Sequence, residues 1–230
     1  MIKAVIFDLF ETLITESGTR PAGVSSRASM LGCEREAFRG GWRAVRPEVM
    51  TGRIAFRRAL ADITSRLGRP ADDAVLRELC EERVRIKGEA LARSEPQVLV
   101  MLDCLRDRNI RLGVVSNCFA EDVAAWPTSV LASRFDCAVF SCEVGLAKPD
   151  PEIYREATRR LAVDASEAWF IGDGQDDELR GAEQVGLRAW KALWFLRRWP
   201  HFRTEAIDAS CIDAVEDVVR LVERASSSAG

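Results

Sequence analysis

Four short apolar runs in this 230-residue chain are each followed at once by polar residues. Asp8 follows Ala4–Phe7, Ser116-Asn117 follows Leu112–Val115, Ser141 follows Ala138–Phe140, and Gly172-Asp173-Gly174 follows Trp169–Ile171. Lys148-Pro149 comes soon after the third run, and Asp177-Glu178 soon after the fourth. Carboxylates, hydroxyls and one ammonium are the groups that nucleophilic and electrostatic catalysis need, provided the fold brings them together. One such aspartate alone is usually a helix cap or a solvated side chain. Four polar run ends in succession, with a lysine among them, are much harder to reach by accident.

The apolar runs themselves say how convergence is achieved. They are rich in Val, Ile and Phe and lack the alternation of a half-exposed strand, so each reads as a strand buried on both faces of a parallel sheet. Leu187–Trp190 is a fifth, weaker candidate. Helical spacing separates them: Val98-Leu99, Met101-Leu102 and Leu105 before the second run, and Ile153-Tyr154, Ala157 and Leu161 before the fourth, with Pro151 placed for a helix start. Alternating strands and helices predict a doubly wound, Rossmann-like α/β fold with a parallel sheet. A ligand then binds at the carboxyl ends of the strands, where the polar residues lie.

One connection is too long. Roughly eighty residues without a convincing strand separate the first strand from the helix near Val98, and a loop of that length must carry structure of its own. Amphipathic stretches at Ile54–Leu67 and Val75–Ile86, with turn signals at Pro47, Gly52 and Gly68-Arg69-Pro70, predict an inserted helical cap. The expected organisation is a core of residues 1–14 and 93–225, a cap of 15–92, and an unstructured small-residue tail of 226–230.

The run ends also resemble a known set of motifs. Phe7-Asp8-Leu9-Phe10-Glu11-Thr12-Leu13 resembles the first motif of the haloacid dehalogenase superfamily, a hydrophobic strand followed by Asp-x-Asp-x-Thr. Val115-Ser116-Asn117 is similar to its second motif, Gly145–Pro151 around Lys148 to its lysine motif, and Gly172–Ala182 around Asp173 to its acidic fourth motif. Each is weak alone, but four in order over the whole core are specific, and the insertion falls where the family commonly carries its cap. The resemblance implies a hydrolase in which Asp8 is the covalent nucleophile. It implies Mg²⁺ on Asp8, the Phe10 backbone carbonyl and Asp173, with Asp177 or Glu178 holding metal-bound water or Lys148. Ser116, with Asn117 beside it and the amides after Asp8, would bind a phosphoryl group, and Lys148 would offset charge in the transition state.

One residue departs from the pattern. The family's phosphatases carry a second aspartate two residues after the nucleophile, which protonates the leaving alcohol and then activates water. Phe10 stands there and cannot move a proton, a function typically worth about 10²–10⁴-fold. Its carbonyl still serves a metal. Three readings are open. The chain is a phosphatase acting on activated substrates or drawing on Glu11 or water, a relative of the dehalogenases, or a binding module that has lost catalysis. Dehalogenases carry an aromatic residue at this place and expel halide without a proton. They hold no metal, however, and their fourth motif is less acidic than Asp173…Asp177-Glu178. Dense carboxylates beside Asp8 need a cation, which favours a Mg²⁺-dependent phosphatase acting on a small phosphorylated metabolite.

Composition narrows the partners. With 33 basic and 36 acidic residues, a formal net charge of -3 gives no reason to expect nucleic acid or an anionic membrane. The N-terminal apolar run is broken at Asp8, with no cleavage site after it, so a cytoplasmic location is expected. The seven cysteines are odd in number, scattered and without a Cys-x-x-Cys pair, which argues against a disulfide framework or a thiolate metal site. The only histidine, His201, lies in an aromatic stretch, Trp190…Trp194-Phe195…Trp199-Pro200-His201-Phe202, best read as core packing. Arg20, Arg27, Arg43, Arg46, Arg53, Arg57 and Arg58 make the first half of the insertion basic. They read as a solvated surface, with the alternative that one or two meet an acidic substrate.

Overall fold

The computed structural model describes residues 1–16, 21–199 and 210–227. Six parallel strands form one sheet: β1 (Ala4–Phe7), β2 (Arg111–Ser116), β3 (Cys137–Phe140), β4 (Ala168–Gly172), β5 (Arg188–Ala192) and β6 (Cys211–Ile212). Their order is β3-β2-β1-β4-β5-β6, and β1 pairs on one side with β2 (Phe7 opposite Val114) and on the other with β4 (Phe7 opposite Ile171). The first strand is therefore central, and the residue after it sits between two neighbouring strand ends.

Alternation along β1 explains why its four residues are all apolar. Val5 and Phe7 enter one core and Ala4 and Ile6 the other, and each face is covered by helices. One face packs α5 (Pro96–Arg106) and α10 (Val215–Ser227); the other packs α8 (Pro151–Leu161) and α9 (Glu178–Gln184). Helix α8 begins as its sequence asks, with the Asp150 carboxylate accepting from the Glu152 amide at 2.9 Å and Pro151 in the first turn. Trp190, Trp194 and Phe195 are buried in the first core, so that part of the aromatic stretch is packing; His201 and Phe202 lie outside the described residues.

Between β1 and β2 the chain forms α1 (Val24–Met30), α2 (Arg35–Met50), α3 (Phe56–Arg66) and α4 (Asp73–Ala92). They enclose a third core that includes Phe38, Trp42, Phe56, Leu60 and Leu76, which Phe119 from the loop after β2 also enters. Pro47 is not a turn but lies in the last turn of α2. A missing N–H removes one bond there, and burial of Val49 and Met50 keeps the chain helical. Helix α10 runs to Ser227, two residues into the stretch expected to be unstructured, because Val218 and Val222 seat it on the sheet; residues 228–230 lie outside the described part. Two short helical turns follow strand ends, α6 (Ala120–Val123) and α7 (Ser141–Val144). Among the described residues no helix is long and apolar enough to cross a membrane.

Candidate active site

The carboxyl ends of β1, β2 and β4 and the loop before α8 bring their polar residues together. Asp8 follows β1 directly, its amide donating to the Ile171 carbonyl at 2.8 Å. The Lys148 ammonium donates to the Asp8 and Glu178 carboxylates, and all three side chains are almost fully buried. Asp173 completes the group: carboxylate oxygens of Asp8, Asp173 and Glu178 lie within 4.8 Å of one another.

Local structure holds each member. The Glu178 carboxylate accepts from the Gly174 amide at 2.8 Å, and its backbone carbonyl accepts from the Tyr154 hydroxyl at 2.8 Å. It approaches Gly172 so closely that a Cβ there would lie 2.1 Å from Glu178 Oε1. Asp173 accepts from the Gln175 amide at 2.9 Å. Asp176 and Asp177 both adopt positive φ, 53° and 55°, which swings the chain so that Glu178 turns inward. Asp177 is exposed and lies 3.8 Å from Arg180, away from the cluster. The choice between Asp177 and Glu178 thus falls geometrically on Glu178.

Asn117 lines the cavity but spends its amide on the scaffold. Its Oδ1 accepts from the Lys148 amide at 2.7 Å, and its Nδ2 donates to the Lys148 carbonyl at 2.9 Å and to Asp176 at 3.0 Å. It fixes the backbone from which Lys148 extends. Ser116 ends β2 with its hydroxyl fully buried and without a hydrogen-bond partner, a donor with no acceptor. Ser141 instead joins the insertion to the core, donating to the Met50 carbonyl at 2.7 Å and accepting from the Cys118 amide at 2.9 Å.

One ammonium faces three carboxylates, and Asp8 and Asp173 respond. Burial pushes Asp8 up to about 7, with Lys148 pulling against it and Glu178 adding to the rise. Burial, then the charges of Asp8 and Glu178, push Asp173 up to about 8. Burial opposes the charge on Lys148, yet Asp8 and Glu178 hold it above its ordinary value. A hard cation among these oxygens would relieve the repulsion, so the donor set fits Mg²⁺.

The cluster opens into a cavity of about 280 Å³ that the insertion roofs with Arg27, Trp42, Arg46, Met50, Arg83 and Lys87. Lys87 pairs with Glu16, and Arg83 with Asp122, at 2.7 Å. The Lys87 ammonium lies over the Phe10 ring. Glu11, the nearest alternative acid, is engaged on both oxygens, by Thr15 Oγ1 at 2.8 Å, the Glu16 amide at 2.8 Å and Trp199 Nε1 at 2.7 Å. The Lys87–Phe10 contact spans distant parts of the chain and has no motif. The only hint is that an arginine-rich chain holds just four lysines, of which Lys87 is the one in the insertion.

A doubly wound sheet with an acidic cluster and a lysine at the ends of its central strands, roofed by inserted helices, defines a class of α/β hydrolases. Residues 2–186 match the model of the haloacid dehalogenase-like hydrolases, and the chain belongs to that family. It is 37% identical over 95 residues to a glyceraldehyde 3-phosphate phosphatase of Methanopyrus kandleri, covering 40% of each chain. It is 31% identical over 133 residues to a phosphoserine phosphatase of Thermus thermophilus, covering 52% of this chain and 53% of that one. These matches span about half or less of those relatives' length. Among solved structures, a 2-haloacid dehalogenase of Pseudomonas syringae pv. Tomato superposes with a TM-score of 0.66 at 27% identity, covering 97% of this chain and 99% of that one.

Proposed function

We propose that the chain is a Mg²⁺-dependent phosphatase that cleaves a small phosphorylated metabolite through an aspartyl-phosphate on Asp8. The observation that carries this reading is the buried trio Asp8, Asp173 and Glu178 held against a single ammonium. A dehalogenase, which handles a monocarboxylate without a metal, has no use for so much buried negative charge. Asp8 attacks phosphorus and takes the phosphoryl group as the ester bond breaks. Water then attacks that phosphorus and frees Asp8, which splits one difficult step into two. Lys148 offsets the charge on the transferring group, and the unpartnered Ser116 hydroxyl donates to one of its oxygens. Mg²⁺, held by Asp8, Asp173, the Phe10 carbonyl and Glu178 directly or through water, would supply the positive charge that lets a carboxylate approach a phosphate dianion.

In this reading residues 15–92 are the cap that selects the substrate over a core of 1–14 and 93–225. The seven free cysteines fit a reducing compartment, the cytoplasm. Phe10 favours a second reading, a 2-haloacid dehalogenase, since halide leaves without a proton. A screen of phosphate esters and 2-haloacids, with and without Mg²⁺, on wild type and Asp8→Asn separates the two. Mg²⁺-dependent release of phosphate, lost in Asp8→Asn, is expected. Metal-independent release of halide with inert phosphates would replace the phosphatase reading.

A further inference from the structure

Among the described residues, Lys87 and Arg83 of the cavity roof form ion pairs with carboxylates, and Arg27 forms none. Arg27 is 6% exposed, and its Nε and Nη1 have no hydrogen-bond partner. Its guanidinium stacks on the Trp42 ring at 4.5 Å and lies 5.5 Å from the Phe56 ring. Stacking holds the plane of the group and leaves its in-plane N–H edge to a ligand. A buried charge without a partner is strongly unfavourable, so retaining one calls for a partner that arrives from outside. Burial first, and then the charge of Arg83, lowers Arg27 to about 10 against the pull of Asp122 and Glu82, which still leaves it charged at neutral pH. Arg46, one turn beyond Trp42 on α2, lines the same cavity, with no ion pair among the described residues.

We infer that Arg27, assisted by Arg46, is a subsite for a second anionic group on the substrate, which is therefore a phosphate monoester that also bears a carboxylate or a second phosphate. This rests on the phosphatase reading of the same cavity. Asp8 and Lys148 at the floor and Arg27 and Arg46 at the roof line one space of about 280 Å³, so the two anions are joined by a short carbon chain. Of the acids near Arg27, Asp122 pairs with Arg83 and Glu16 with Lys87, and Glu82 acts on Arg27 only through its charge and does not line the cavity. Arg27 specifies the substrate and leaves the chemistry to the floor.

The test measures binding to Asp8→Asn protein with Mg²⁺ by calorimetry, using ethyl phosphate, phosphoglycolate and ethylene glycol bisphosphate. Both two-anion ligands are expected to bind about 10- to 100-fold more tightly than ethyl phosphate, the increment of a desolvated charge-assisted pair. The stronger of the two shows whether a carboxylate or a phosphate is the natural second group. Adding Arg27→Met should bring the ratio close to one. Arg27→Gln, which keeps N–H donors without the charge, should lose most of it and serves if the methionine variant does not fold. Equal binding of all three ligands, or a preference that survives both substitutions, would overturn the subsite. Wild-type hydrolysis of 4-nitrophenyl phosphate is measured alongside. Hydrolysis without a two-anion preference removes the subsite alone, while a preference without any hydrolysis supports the subsite and removes the phosphatase reading.

Discussion

The Lys87 ammonium sits 3.8 Å from the centre of the Phe10 ring, the residue that the motif resemblance sets in place of a phosphatase's second aspartate. In the proposed phosphatase, a cation resting on an aromatic face would thus stand beside the place of the absent acid. Phe10→Asp would set a carboxylate beside that ammonium, which favours the ionised form. The restored group then stays ionised and has no proton to give a leaving alcohol. The rate on alkyl phosphates is expected to rise by less than the ~10²-fold low end for general acid catalysis, and further in Phe10→Asp with Lys87→Met. Steady-state kinetics on one alkyl ester checks both; no gain in either variant would show that Phe10 does not stand in the acid's place.

The same absence makes the leaving group decisive. An alkoxide needs a proton to depart, and an aryl oxide or carboxylate largely does not. A steep fall of rate with leaving-group pKa is expected across a series of phosphate esters, with aryl and acyl phosphates preferred. Equal rates for alkyl and aryl esters would mean that some other group delivers the proton. Glu11 is poorly placed for that, with both oxygens already engaged.

Stability should respond to pH and metal together. Asp8 and Asp173 are raised from the ordinary 3.8 to about 7 and about 8. The metal-free folded chain thus keeps protons that the unfolded chain releases. Their contribution to stability is complete below about pH 4 and is lost as pH rises through 7 to 8. Mg²⁺ binds the ionised carboxylates, so its increment to the thermal midpoint should grow over that range. Asp173→Asn should abolish the increment and flatten the pH dependence of the metal-free protein. A midpoint indifferent to Mg²⁺ at pH 8 would argue against the metal.

Glu178 and its neighbour Asp177 should behave as different kinds of residue. Glu178→Gln removes a buried member of the cluster and is expected to weaken Mg²⁺ binding by about 10- to 100-fold, the usual cost of disturbing a metal's surroundings. Asp177→Asn changes an exposed side chain and should shift stability by no more than about 0.5 kcal/mol. Titration calorimetry and thermal melts on the pair settle the assignment, and the reverse ranking would refute it.

Four of the six strands were legible as apolar runs because both faces of the sheet are covered, and the fifth, Arg188–Ala192, left only a weak run because Arg188 and Lys191 interrupt it. The sixth, Cys211–Ile212, is two residues long at the sheet edge and too short to leave a pattern. Asp8 and Asp173 at strand ends, and Lys148 in the loop before α8, were legible as neighbours because topology alone brings such places together, whereas Ser116 ends β2 without lining the cavity. What lay hidden depends on side chains that meet across the chain. Lys87 reaches Phe10 from another helix, and Asn117 turns out to clamp Lys148. Only the paired positive φ angles at Asp176 and Asp177 decide that Glu178 faces inward. Pro47 misled for a related reason: local propensity yields to burial at the end of a long helix.

Helix α4 belongs to two cores at once. Leu76 and Leu79 pack inside the insertion, while Ala90 and Leu91 pack against the sheet. Its 20 residues form a strut about 30 Å long. The roof therefore cannot swing away on that side like a door on a loose hinge. A twist about the strut would have to loosen contacts such as Arg83 with Asp122 and Ser141 with Met50. In the proposed phosphatase, the alcohol and the phosphate would leave past a roof pinned on one side, one after the other, and a bulky product would leave last.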